Sequence, residues 1–375
     1  MLYRFVDAAV VRVAALPVEV DIPSWPDLTG GTDEQVAGWC RWLQRVWASE
    51  AVGAAIEVAS PALTRRVGEV REGRRVRERE VRRAVVSVMR YVLRAKSRAT
   101  PFGLFAGVAP ARVGSRSAAR FGDEHRAVAR ADAEWLGGVI RRLEACHELR
   151  NRLLVVRNNL AFVRDERLVV GCQQQGGTAA GTEPVEVSVR HTAAVRAVLQ
   201  AAQAPIRIAD LAGKLTVEFP EAPESAIEGL LAGLVAQRIL VTSLHPPMTA
   251  TDPLGHVVEE LAVVDAEAVP QVAELVGELC GIHRDLSRHN RASALTELRE
   301  RRSAASARMA AIVSAERAVT VDLRLDCGVV LPHAVAREAE TTAAALVRLT
   351  PHPFGSPAWQ DYHGRFLIRT TGSRP

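Results

Sequence analysis

At 375 residues, with 48% apolar and 24% charged residues, the chain has the size for two or three domains and the composition of a globular protein. No apolar run reaches the roughly 18–20 residues of a membrane helix, and Asp7 and Arg12 interrupt the first apolar stretch. A membrane span and a cleaved signal are therefore excluded as expectations, and a cytoplasmic protein is expected. The net charge of +5 is small, so any basic surface has to come from local clustering.

Residues 1–150 begin with a strand (VVRVAALP, residues 10–17) and a Pro/Gly-rich loop carrying Pro23, Pro26, Gly30 and Gly31. Helical patterns lead into a basic segment in which Val81, Ala84, Val85, Val88, Met89, Val92 and Leu93 recur at helical spacing. That is one apolar stripe, with Arg83, Arg90 and Arg94 on another face. Pro101 forbids continuation and biases Thr100 away from helix, so the helix should end near Arg98. Arg94, Arg98 and Thr100 are then delivered to its C-terminal edge. The following PFGLFAGVA is apolar and expected to be buried.

Residues 151–245 read as a self-contained unit. LAFVR and RLVVG flank Asp165-Glu166 as a hairpin, and a loop from Gln173 to Thr182 leads to the strand VEVSVR. Helical patterns at about 192–203, 208–215 and 224–237 and a last strand, ILVTSL, give the element order of a winged helix-turn-helix. From 246 to 375 a long helical stretch precedes the strand VTVDLRLD, and two more helical patterns follow. The expected class is α+β: a mixed helical and sheet domain, with the winged helix inserted between its two parts.

Portable catalytic signatures are missing: GxSxG, a P-loop, HExxH, a dinucleotide fingerprint and zinc-ligand spacing. No metal or cofactor is expected, and the chemistry that remains is positioning and electrostatics. Cys40, Cys146, Cys172, Cys280 and Cys327 are scattered, which fits reduced, mostly buried thiols. His283 and His289, on a charged helix, are expected at the surface. Ala62–Arg98 holds thirteen Lys/Arg against four Asp/Glu, a local +9. Such density is the footprint of a nucleic-acid partner, although a solvated charged face looks the same in sequence. Asn151–His245 instead balances nine Lys/Arg with nine Asp/Glu, and its third helix carries Glu224 and Glu228. DNA binding needs phosphate neutralisation, so a DNA partner is not expected, and a peptide suits this unit better.

RYVLRAKSRATPFGLFAGVA, residues 90–109, resembles the signature of lantibiotic dehydratases, an R-x-T-P-F-G-x-F-x-G segment preceded by spaced arginines. VVRVAALP, RADAEWL (residues 130–136) and VDLRLD resemble further family segments in the same order. The resemblance implies transfer of glutamate from glutamyl-tRNA, as co-substrate, to Ser or Thr of a precursor peptide, and implies that 151–245 recognises the leader peptide. It places Arg94, Arg98, Thr100, Asp132 and Asp322 in the transfer site. Arg12, matched more loosely, is assigned with Arg83 and Arg90 to tRNA contact. After Arg369 the sequence TTGSRP departs from the family pattern. The expectation is a chain incomplete at its C-terminus: a truncated reading frame, a fragment, or one half of a split enzyme whose elimination step belongs to a separate protein. A peptide aminoacyl-tRNA ligase and a leader-peptide-binding module without catalysis are the competing readings.

Overall fold

A computed structural model describes residues 3–16, 22–74, 76–173, 185–292, 294–352 and 355–371. In chain order these form β1 (Ala9–Ala14), α1 (Asp33–Trp47), α2 (Glu50–Ala59), α3 (Pro61–Arg71), α4 (Glu78–Ser97), β2 (Ala106–Gly114), β3 (Ala118–Phe121) and β4 (Arg126–Ala131). Next come α5 (Ala133–Ala145), α6 (His147–Arg152), β5 (Leu154–Arg157), β6 (Ala161–Arg164), β7 (Arg167–Gln173), β8 (Val185–Arg190), α7 (Ala193–Ala201) and β9 (Ile206–Arg207). The rest are α8 (Ile208–Glu218), α9 (Glu224–Ala236), β10 (Leu240–Thr242), α10 (Pro253–Val263), α11 (Ala273–His289), α12 (Leu295–Ile312), β11 (Val319–Arg324), β12 (Cys327–Pro332), α13 (His333–Leu349) and α14 (Pro357–Thr371). The fold is α+β, as expected. Among the described residues no helix is long and apolar enough to cross a membrane.

The contacts divide into two compact units. One comprises Met1–Ser24, Val86–Arg126 and Leu323–Pro375. Its frame is sheet: β1 runs antiparallel to β2 (Ala9↔Ala111 to Ala14↔Ala106), and β12 runs parallel to β2 and antiparallel to β3. Leu323 and Arg324, at the end of β11, pair in parallel with Gly107 and Val108, so β11 and β12 follow one another along the same strand. A Cβ on Gly107 would lie 2.6 Å from the Leu323 carbonyl oxygen, which explains the second glycine of PFGLFAG.

The other unit comprises Trp25–Val85 and Ala127–Asp322. Its helices start where local chemistry says they should. Thr32 and Gln35 form a capping box for α1, whose Trp39 and Trp42 are buried, and Asp132 caps α5. Within this unit β4 and β11 are neighbours. Residues 154–242 hold two three-stranded sheets, β10-β5-β9 and β6-β7-β8, around a core of Val155, Leu168, Val198, Leu211, Leu231, Ile239 and their neighbours. The expected hairpin is present: β6 and β7 pair across Asp165 and Glu166, whose φ values of 47° and 59° are those of a type I′ turn. Most of the Gln173–Thr182 loop lies outside the described residues.

Three expectations are corrected. His289 is fully buried rather than on the surface, because it continues the α11 stripe of Leu275, Leu279, Ile282 and Leu286 at helical spacing. Leu93 is half exposed: at about 100° per residue it stands roughly 80° around the helix from Val85, at the stripe's margin. Cys40, Cys146, Cys280 and Cys327 are free but only half-buried, and the side chain of Cys172 lies outside the described residues.

Candidate functional site

The arginine-rich signature is built by the end of α4 and the turn that follows it. α4 buries Val81, Ala84, Val85, Val88, Val92 and Ala95 and exposes Arg83 and Arg90 on the opposite side. It ends at Ser97, within a residue of the expected position. Beyond Pro101 the chain doubles back, which Gly103 permits with φ of 54°. The rings of Tyr91 and Phe105 stack at 5.1 Å, with Phe102 alongside at 6.5 and 6.2 Å. The Arg94 guanidinium lies 4.5 Å from the Phe102 ring centroid, a cation–π contact, and its Nη2 donates to the Thr100 carbonyl at 3.4 Å. Its Nε is buried without a hydrogen-bond partner among the described residues. Arg94 therefore ties the turn to the helix. Arg98 and Thr100 are exposed, and their side chains have no partner among the described residues.

Arg12 projects from the exposed side of β1 opposite Val108, and Arg324 pairs with Val108 from β2's other edge. Cross-strand partners share a face, so both arginines stand on the open face of the sheet. Sequence reasoning singled out Arg12 and missed Arg324, because only strand register relates the two.

In the second unit the two aspartates come together. Asp132 Oδ1 accepts the Glu134 N–H at 2.9 Å, and Oδ2 accepts the Thr320 hydroxyl at 2.6 Å. Two residues along β11, Asp322 Oδ2 accepts the Arg130 Nε–H at 2.9 Å; this ion pair is partly exposed. Arg130 and Asp132 are thus linked to Asp322 and Thr320 by two parallel contacts. Asp132 has both oxygens engaged and holds structure. Asp322 Oδ1 has no partner among the described residues, so Asp322 is the better placed of the two to accept a proton.

Next to this pair is a cleft of about 250 Å³. Arg130, Ala133, Leu136 and Gly137 form one wall, and Arg238, His245 and Pro246–Met248 form the other. His245 Nε2 lies 3.2 Å from Oε1 of the buried Glu144, which also accepts the Thr242 hydroxyl at 2.6 Å. None of Arg130, Arg238, His245 and Glu144 was singled out from the sequence. The one local signal was an arginine just past the end of α9, where glycine is usual. Arg94, Arg98, Thr100 and Arg12 belong to the first unit, and Asp132 and Asp322 to the second.

A family model described as "Lantibiotic dehydratase, N terminus" matches residues 48–370. The tRNA-dependent lantibiotic dehydratase MibB from Microbispora sp. 107891 superposes with a TM-score of 0.76 at 30% identity, covering 98% of this chain and 33% of that one. Subtilin biosynthesis protein SpaB of Bacillus subtilis is 26% identical over 207 residues, 55% of this chain and 19% of SpaB. The chain therefore spans a third or less of the length of these relatives.

Proposed function

The chain belongs to the lantibiotic dehydratase N-terminal family, and from that premise we propose that it carries out glutamyl transfer from glutamyl-tRNA to Ser or Thr of a precursor peptide. The observation that carries this reading is the likeness to MibB, itself described as tRNA-dependent, over 98% of this chain. In the reaction a Ser or Thr hydroxyl oxygen forms a bond to the glutamyl carbonyl carbon, and the ester bond to the tRNA 3′ oxygen breaks. The hydroxyl proton moves to a carboxylate, for which Asp322 through its Oδ1 is the candidate, and then to the departing 3′ oxygen. Arg98, exposed and without a side-chain partner among the described residues, meets a phosphate of the tRNA, with Thr100 beside it. Arg94 holds that turn in place. Arg12, Arg83 and Arg90 contact the tRNA.

Residues 151–245, with balanced charge, form the module that docks the leader peptide in the manner of a winged helix; residues 1–150 and 246–375 make up the transfer domain. Elimination of the glutamate falls to further dehydratase sequence or to a separate partner.

The test uses the purified chain, the precursor peptide and tRNA carrying labelled glutamate. Label should reach the peptide, and Arg98→Ala should lower the rate by about 100-fold or more at unchanged melting temperature. If no label moves while the peptide still binds, the chain is a recognition module and the transfer reading is wrong.

A further inference from the structure

Among the described residues, the cleft beside Asp132 and Asp322 contains one guanidinium without a partner. Arg130 is engaged with Asp322 and His245 with Glu144. Arg238 is half-buried, and its side chain has no partner among the described residues. Its guanidinium is held over α5: a Cβ on Gly137 would lie 3.7 Å from Arg238 Nη2. The backbone there is fixed as well. Asn158 Nδ2 donates to the Arg238 carbonyl at 2.8 Å, and the Ile239 N–H closes onto Leu234 at 2.9 Å. This is the left-handed residue that terminates α9, with φ of 55°. Glycine is the usual choice at that position, because any side chain is strained there. An arginine in a strained conformation, aimed into a cleft and left unpaired, is the pattern of a ligand-binding group.

The rest of the cleft sets the size and class of the ligand. At about 250 Å³ it falls below the roughly 300–1,000 Å³ of pockets for drug-sized molecules, so it takes a residue-sized group. Leu136, Ile140, Pro246 and Pro247 supply apolar wall for a short methylene chain. We propose that this cleft reads the side-chain carboxylate of the glutamyl group, with Arg238 as the specificity-determining residue. This rests on the transfer reading above and names the acyl group that the site selects.

The probes are the glutamyl and glutaminyl 3′-amides of 3′-amino-3′-deoxyadenosine, stable mimics of a charged tRNA end, titrated calorimetrically into the full chain. The glutamyl mimic should bind roughly 10- to 100-fold more tightly, the usual worth of a charge-assisted hydrogen bond. Arg238→Gly should abolish that preference while leaving the melting temperature unchanged or higher, because glycine relieves the left-handed strain; a merely structural arginine would not separate the two readouts. Arg238→Lys should keep part of the preference, having charge without the planar fork. A preference that survives in Arg238→Gly, or is missing in the wild type while label still moves from glutamyl-tRNA to peptide, overturns this assignment and leaves the transfer reading standing. If neither mimic binds and no label moves, both fall.

Discussion

His289 lies on α11 with no exposed surface, its Nδ1 3.0 Å from Asn290 Oδ1 and its Nε2 buried without a partner among the described residues. Asn290 in turn bonds both the N–H and the carbonyl of Ala129, at 2.8 and 3.0 Å, so this small network fastens α11 to β4. Burial holds the imidazole below its ordinary value of 6.5, opposed by the Asn290 hydrogen bond and aided by Arg302 and Arg301. A folded-state pKa below the unfolded one means that the unfolded chain binds the proton more readily. Its contribution to stability is then present above about pH 6.5 and is lost as the pH falls through the folded value. Urea unfolding at pH 7.5 and 5.5 should show the wild type losing stability at the lower pH, with a smaller loss in His289→Leu. An equal loss in both would place the acid sensitivity elsewhere. At this scale sequence reading has a signal only where it is local: Asp132 precedes an apolar-periodic run and caps it, although the resemblance placed it in the transfer site. It fails for Arg130 with Asp322, which meet across 192 positions of chain, and for His289, whose apolar neighbours three, seven and ten residues back outweigh its polarity.

The hairpin between β6 and β7 shows what a turn signal can and cannot specify. Two polar residues between two apolar runs locate the turn, and type I′ geometry follows from strand twist. The residues used, Asp165 and Glu166, are second choices for left-handed backbone; glutamate lacks asparagine's short side chain and glycine's freedom. Glu166→Gly should stabilise the chain by about 1 kcal/mol, read as a higher urea midpoint at unchanged m-value. No gain would mean that Glu166 makes a contact worth as much as the strain. The end of α4 was legible for the same local reason, with Pro101 stopping the helix. The strands β3, β4, β5, β9 and β12 were not. They are two to six residues long, and partners far away in sequence define them, as β2 does for β12 and β5 for β9.

Charge is a property of the whole molecule, and here it is unevenly spread. The +9 of residues 62–98 exceeds the net +5, so the remaining residues sum to −4. Three of the segment's thirteen cations are engaged internally: Arg66 pairs with Glu80 at 2.8 Å, Arg74 with Glu72 at 2.9 Å, and Arg82 with the Leu28 carbonyl. Arg83 and Arg90 stay exposed on one face of α4, without side-chain partners among the described residues, ready to meet phosphate. If they do, binding of glutamyl-tRNA releases counterions, and the logarithm of affinity falls linearly with the logarithm of salt concentration. Each arginine removed should make that slope shallower by about 0.7–0.9, so Arg83→Ala with Arg90→Ala together should change it by about 1.4–1.8. Precursor-peptide affinity should stay unchanged, since residues 151–245 carry no net charge and α4 is no part of them. Filter binding between 50 and 200 mM salt measures the slope directly. A slope unaltered by the double substitution would remove α4 from the tRNA surface and leave the open sheet face of Arg12 and Arg324 as the cationic surface to test next.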